Sequence, residues 1–256
     1  MSASPTVSAA SPAAAAAARP GDGALIRARG VTKVYQQGKI EVPALRGVDL
    51  DVHPREFVVL AGASGSGKST LLNLVGALDH PTAGEILVAG RDVTHLSRAK
   101  AARFRLASLG FVFQAYNLVP VLTCYENAEY TLALAGVARE ERERLVMPLL
   151  ERVGLGDMRD RKPHELSGGQ QQRIAVVRAI ASRPALVLAD EPTANLDSET
   201  SGNLLDLMLE LNAEHGTTFV FASHDPDLIA RARRVVRLRD GRIESDGLSE
   251  AEAPRA

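Results

Sequence analysis

The feature that most narrows what this chain can fold into is the stretch Gly62-Ala63-Ser64-Gly65-Ser66-Gly67-Lys68-Ser69-Thr70, which directly follows the apolar run Phe57-Val58-Val59-Leu60-Ala61. It matches G-x-x-x-x-G-K-[ST] set between a strand and a helix, because Leu71, Leu72, Val75 and Leu78 then recur at helical spacing. Glycines at these places let the backbone curl with its N–H groups aimed at phosphate oxygens, and a helix starting near Lys68 adds partial positive charge. Lys68 is placed to meet the β- and γ-phosphates of a nucleoside triphosphate, and Ser69 to ligate Mg²⁺. A plain glycine-rich turn has no use for Lys-Ser at its end, so the loop reads as a phosphate cradle.

Three further runs have the same continuous hydrophobicity and abrupt ends: Phe111-Val112-Phe113, Leu186-Val187-Leu188-Ala189 and Phe219-Val220-Phe221-Ala222. A parallel strand covered by helices on both faces needs that pattern rather than alternation. Helical spacing fills the gaps, with Ile174, Val177 and Ala181 before one run and Leu204, Leu205, Met208 and Leu211 after it. The expected fold is α/β: a P-loop NTPase core of the RecA-like kind with a mainly parallel sheet. Residues 24–53 add short strand-like pieces that predict an N-terminal antiparallel layer, which Ile86-Leu87-Val88 would join. Residues of about 115–165 read as an inserted α-helical subdomain, with Leu145, Leu149 and Val153 on one face and Pro148 kinking a helix or marking its start. Asp240-Gly241 between alternating residues predicts a hairpin. The globular domain is expected over 24–245, after an Ala/Ser/Pro tail at 1–22 and before a C-terminal tail at 246–256.

The ends of the runs carry the chemistry. Leu186 to Ala189 leads into Asp190-Glu191, and adjacent carboxylates at the carboxyl edge of a buried strand are costly unless they face a metal, a ligand or water. Asp190 would hold Mg²⁺ and Glu191 would act as general base on an attacking water. The alternative for this pair is a cap on a following helix. Gln114 and Ser223-His224 end the other two runs. A lone glutamine or histidine is ordinary, but parallel strands bring all of these ends to one edge. Gln114 would there sense Mg²⁺ or water, and His224 would bond the γ-phosphate and steady Glu191.

Composition removes several classes of function. Thirty Lys and Arg against 31 Asp and Glu leave a net charge of -1, which offers no global attraction to nucleic acid. Arginines 231, 233, 234, 237, 239 and 242 fit a solvated hairpin face, and the mixed charges of residues 139–144 fit an outer helix face. A single cysteine, Cys124, excludes intrachain disulfides and fits a reducing compartment. His53, His80, His95, His164 and His215 lack ligand spacing. No apolar run approaches the roughly 20 residues that cross a bilayer, and the first 20 residues lack the basic start and apolar centre of a secretory leader.

Leu166-Ser167-Gly168-Gly169-Gln170 precedes a second helical pattern, from about residue 169 to 181, and makes a second candidate anion site: a helix-capping serine followed by two glycines. With it the sequence resembles the ATP-binding subunits of ABC transporters over residues 25–245. The resemblance covers the Walker A loop (Gly62, Ala63, Ser64, Gly65, Ser66, Gly67, Lys68, Ser69, Thr70), the Q-loop Gln114, the signature Ser167, Gly168, Gly169 and Gln170, Walker B Asp190 with Glu191, the D-loop Asn195-Leu196-Asp197 and the switch His224. It also implies that Tyr35 stacks on adenine. Further implied are ATP and Mg²⁺ as cofactors, a head-to-tail dimer in which the signature of one subunit completes the other's site, and separate transmembrane permease subunits docked on the helical insertion. The chain would then sit on the inner face of the cell membrane through that partner. Within the family the segments around Asp79, Gln114 and Glu191 look most like the lipoprotein-releasing and macrolide-export group, which also contains the cell-division ATPase. Two alternatives stay beside this reading: an ATPase of a membrane complex that transports nothing, and a soluble ABC ATPase. Against the latter, the stretch between Gln114 and Leu166 is too short for a long coiled coil and there is one cassette. A GTPase lacks support because no Asn-Lys-x-Asp motif occurs.

Overall fold

The computed structural model describes residues 23–248. The chain opens with β1 (Ile26–Gln37) and β2 (Ile40–Val52), then β3 (Phe57–Ala61), α1 (Lys68–Val75), β4 (Ala83–Val88) and the short β5 (Arg91–Asp92). Next come α2 (Arg98–Ser108), β6 (Leu109–Val112), α3 (Cys124–Leu134), α4 (Arg139–Arg152), two single 3₁₀ turns (Gly156–Met158 and Pro163–Glu165) and α5 (Gly168–Ile180). The last part alternates β7 (Leu186–Asp190), α6 (Ser198–His215), β8 (Thr218–Ser223), α7 (Pro226–Arg231), β9 (Arg234–Arg239) and β10 (Arg242–Leu248).

Two sheets result, a six-stranded one in the order β10-β9-β3-β8-β7-β6 and a four-stranded one in the order β2-β1-β4-β5. In the larger, β6, β7, β8, β3 and β9 run parallel and only β10 is antiparallel. All four continuous apolar runs lie in it, with Phe113 alone falling just past the end of β6. Every residue of β3 is buried, and its alternation divides between two cores. Phe57, Val59 and Ala61 face the layer of α3, α4, α5 and α6, whereas Val58 and Leu60 face α1 and the antiparallel sheet. The phenylalanines of β3 and β8 interlock, with ring centroids of Phe57 and Phe221 4.5 Å apart. Truncating one such ring to Ala costs about 3–5 kcal/mol.

The antiparallel layer is as expected and includes β4, but β1 and β2 are long strands rather than short pieces, kept in register through several bulges. Pro148 does not start or end a helix: α4 runs through it. Pro148 lies on the exposed side of α4, and its missing N–H costs the helix one bond, to the Arg144 carbonyl, without ending it. Of the expected inward face, Val153 is buried in the core just after α4, but the helix itself turns two other residues fully inward. Val146 and Leu150 are fully buried, while Leu145 and Leu149 only flank the core. β10 runs on to Leu248, past the expected domain end at 245. Residues 246–248 belong to β10, because Asp246 pairs with the partly buried Arg234 and Leu248 opposes it in register. β9 is more than a hairpin strand, since it also pairs parallel with β3. The expected tails at 1–22 and beyond residue 248 lie outside the described residues. Cys124 is buried at the start of α3, and burial pushes its thiol up to about 11, so it is inert. Among the described residues no helix is long and apolar enough to cross a membrane.

Candidate nucleotide site

The strand register decides which side chains meet. Ala61 lies level with Ser223, Asp190 with Ala222 and Val112 with Ala189, so β3, β8, β7 and β6 all end at one edge. Loops leaving that edge deliver the expected residues to a cleft of about 520 Å³. Ser64, Gly65, Gly67, Lys68, Ser69 and Thr70 line it together with Gln114, Asp190, Glu191 and His224, and β1 of the other sheet adds Tyr35. Gly62, Ala63 and Ser66 belong to the same loop but face its rear, towards Leu238 and Asp240.

Two glycines are required here by their surroundings. Gly62 has φ +152°, and a Cβ on it would lie 2.3 Å from the Leu238 carbonyl. Gly67 has φ +105° and would meet the Ala44 carbonyl at 2.7 Å. The loop is therefore gripped from behind by β9 and β2, and the Gly241 N–H adds a bond to the Ser66 carbonyl. Gly67 gives α1 no side-chain cap, which leaves the first N–H groups of that helix to a ligand. Lys68 is buried and its ammonium donates to the Gly62 and Ala63 carbonyls at 2.7 and 3.1 Å, folded back across the loop where an anion would draw it out.

The Ser69 hydroxyl donates to Asp190 Oδ1 at 2.8 Å. Burial holds the Asp190 carboxyl above the usual carboxylate range, Glu191 beside it adds to the rise, and Ser69 and Lys68 oppose it. A desolvated carboxylate one hydrogen bond from a hydroxyl, at the mouth of a phosphate cradle, is the donor set a hard cation such as Mg²⁺ takes. Glu191 sits in the left-handed region with φ 44°, where a residue with a Cβ is strained by roughly 1–2 kcal/mol. Its N–H donates to the Ala222 carbonyl, and both carboxylate oxygens are occupied: Oε1 lies 2.7 Å from His224 Nδ1 and Oε2 accepts from the Ser223 hydroxyl at 2.8 Å. Tyr35 is exposed at the cleft rim and burial raises its phenol above the ordinary value, so it stays neutral.

The signature residues are elsewhere. Ser167 and Gln170 form a reciprocal capping box at the start of α5, and none of residues 167–170 lines the cleft. A Cβ on Gly168 would come 2.9 Å from the Tyr116 hydroxyl, and one on Gly169 2.6 Å from Thr200 Cγ2. Asp197 is beside them and not in the cleft. Its carboxylate caps α6 through the N–H and hydroxyl of Thr200. The two regions are nonetheless bonded together, because Asn195 Nδ2 donates to the Gln114 carbonyl. Sequence reasoning missed Ser223 as a partner of Glu191, although a hydroxyl just before a histidine at the end of an apolar strand was a usable signal. It also missed Arg178, which donates to the carbonyls of Tyr116 and Asn117, two consecutive residues with positive φ.

A family model described as "ABC transporter" matches residues 45–194. The chain is 47% identical over 220 residues to the lipoprotein-releasing system ATP-binding protein LolD of Xanthomonas oryzae pv. oryzae, covering 86% of this chain and 90% of that protein. It is 45% identical over 233 residues to the macrolide export ATP-binding/permease protein MacB of Syntrophobacter fumaroxidans, covering 90% of this chain but only 33% of that longer protein. Among solved structures, the dimeric bacterial ABC transporter cassette MJ0796 superposes with a TM-score of 0.81 at 39% identity, over 87% of this chain and 98% of that one. The same cassette is also known as a dimer in a post-hydrolysis state with ADP and Pi.

Proposed function

The chain belongs to the ABC transporter family as an ATP-hydrolysing, ATP-binding subunit that uses ATP with Mg²⁺, and from that premise we propose how its residues divide the work. The observation that carries the proposal is that Lys68, the Ser69–Asp190 pair and the Glu191–His224 pair converge on one cleft while the start of α5 stands outside it. Tyr35 stacks on the adenine. The loop from Gly62 to Thr70 wraps the phosphates with its backbone N–H groups, and Lys68 swings from its carbonyls onto the β- and γ-phosphates. Ser69, Asp190 and Gln114 would hold Mg²⁺, which would neutralise charge developing on the phosphate oxygens. Glu191 takes a proton from the water that attacks the γ-phosphorus as the bond to the β-phosphate oxygen breaks, leaving ADP and inorganic phosphate. His224 and Ser223 keep that carboxylate aimed.

Ser167, Gly168, Gly169 and Gln170, with Asp197 beside them, complete the site of a second copy in a head-to-tail dimer, as the dimeric cassette supports. The other partner is a separate transmembrane permease; MacB is by name an ATP-binding/permease protein in one longer chain. Its cytoplasmic segment would fill a largely apolar groove of about 580 Å³ where Leu78, Tyr130 and Leu134 are exposed and Phe113, Asn117 and Arg178 form the inner wall. That wall adjoins Gln114, which gives a short route from groove to cleft. On this reading the protein works at the cytoplasmic face of the membrane, in export or in lipid and lipoprotein extraction. Glu191→Gln is expected to bind ATP normally and to lower hydrolysis by about 10²–10⁴-fold. Unchanged turnover would show that another residue activates the water.

A further inference from the structure

Tyr35 is not a free flap at the edge of the cleft. Its hydroxyl donates to Asp79 Oδ2 at 3.1 Å. Lys33, two residues earlier on β1, sets its ammonium over the Tyr35 ring, 4.8 Å from the centroid. The same ammonium is bonded to Asp79 Oδ2 at 2.8 Å and to the His80 carbonyl at 2.7 Å. Asp79 Oδ1 accepts from the His80 N–H, so the carboxylate is engaged on both oxygens. The turn that carries Asp79 is itself stitched to β1, through Val34 N–H to Thr82 Oγ1 and Thr82 N–H to the Thr32 carbonyl.

One face of the ring is therefore covered by a cation and its hydroxyl is anchored, and the ring lines the cleft beside Val42, Pro43 and Ala44. Lys33 is only 12% exposed, and Asp79 offsets its charge, so it is not a spare cation reaching for phosphate. Its position serves the ring. We propose that Lys33 and Asp79 are positioning residues that hold Tyr35 as a preset, one-faced platform for the planar base of the nucleotide. The proposal rests on the reading of Tyr35 as the base-stacking residue. A ring that is already immobile loses less freedom when a base stacks on it, and the gain is expected only for ligands that carry a base.

The test is titration calorimetry with two ligands, Mg-ATP and Mg-tripolyphosphate, on the full chain. Lys33→Met and Asp79→Asn are each expected to weaken ATP roughly three- to tenfold, the cost of ordering one side chain, and to leave tripolyphosphate unchanged. Lys33→Arg, which keeps a cation over the ring, should retain most of the ATP affinity. Unchanged ATP affinity in both Lys33→Met and Asp79→Asn would overturn the proposal, and so would an equal loss of both ligands in both variants. Tyr35→Ala separates the two levels of the argument. If it loses ATP affinity while the Lys33 and Asp79 variants do not, only the positioning role fails. If it too binds ATP as the parent does, the stacking role of Tyr35 fails and takes the proposal with it.

Discussion

The two helix N-termini that bear on phosphate chemistry are built in opposite ways. At α1 the cap is Gly67, no side chain satisfies the first N–H groups, and the surroundings are a cleft lined by a lysine, a desolvated aspartate and a strained glutamate. At α5 the cap is Ser167, which exchanges hydrogen bonds with Gln170, and the helix end rests on Tyr116 and Thr200 at the surface. The first end is unfinished until a ligand fills it. The second is finished as a helix end and lies outside the cleft. Under the proposed function this asymmetry divides the work of a two-copy site: one end is the cradle, and the other a lid offered to a neighbour.

The largest effects should come from breaking each end separately. Lys68→Ala removes the buried ammonium of the cradle and is expected to reduce ATP affinity itself by at least tenfold, the scale of a lost charge-assisted contact. Ser167→Arg fills the surface of α5 without touching the cleft. Calorimetry should find ATP affinity of the single chain within about twofold of the parent, while hydrolysis falls by roughly 10²-fold or more. Equal loss of ATP affinity in the two variants would abolish the distinction between the ends.

How much of this was legible in the sequence follows from how local each feature is. The four central strands and the phosphate loop announce themselves, since burial on both faces demands continuous apolar residues and a cradle demands glycines before Lys-Ser. Features set by distant partners were not legible. Pro148 looked like a boundary because its ring clashes only if the neighbouring turn cannot yield, and the sequence does not reveal that its side faces water. On α4 two overlapping sets share helical spacing with Val153, Leu145 with Leu149 and Val146 with Leu150, and the spacing alone does not say that the second is the more deeply buried. The pairing of β9 with β3 joins segments far apart in the chain, and with it comes the Leu238 carbonyl that makes Gly62 obligatory. Likewise Ser223 is an ordinary hydroxyl until the register of β7 and β8 sets it against Glu191.

A smaller effect sharpens what is unfinished about the cleft. The folded-state pKa of Asp190 is raised, so at neutral pH its ionised form destabilises the nucleotide-free chain, and that cost disappears as the pH falls through the raised value. Asp190→Asn keeps an acceptor for Ser69 and removes the charge. It should raise the melting temperature at pH 7 by on the order of 1–3 °C, with no gain below about pH 3.9, while Mg²⁺-dependent hydrolysis is lost. A lower melting temperature at pH 7 would mean that the carboxylate is already compensated without a metal.

The claim that the start of α5 is a lid for another copy is tested most directly by the mass of Glu191→Gln in solution, measured by analytical ultracentrifugation with and without Mg-ATP. The account predicts the mass of one chain without nucleotide and a doubling of that mass with Mg-ATP, and predicts that adding Ser167→Arg to the same chain returns it to a single-chain mass at saturating nucleotide. A mass that does not change with ATP, or a dimer that survives Ser167→Arg, would contradict it.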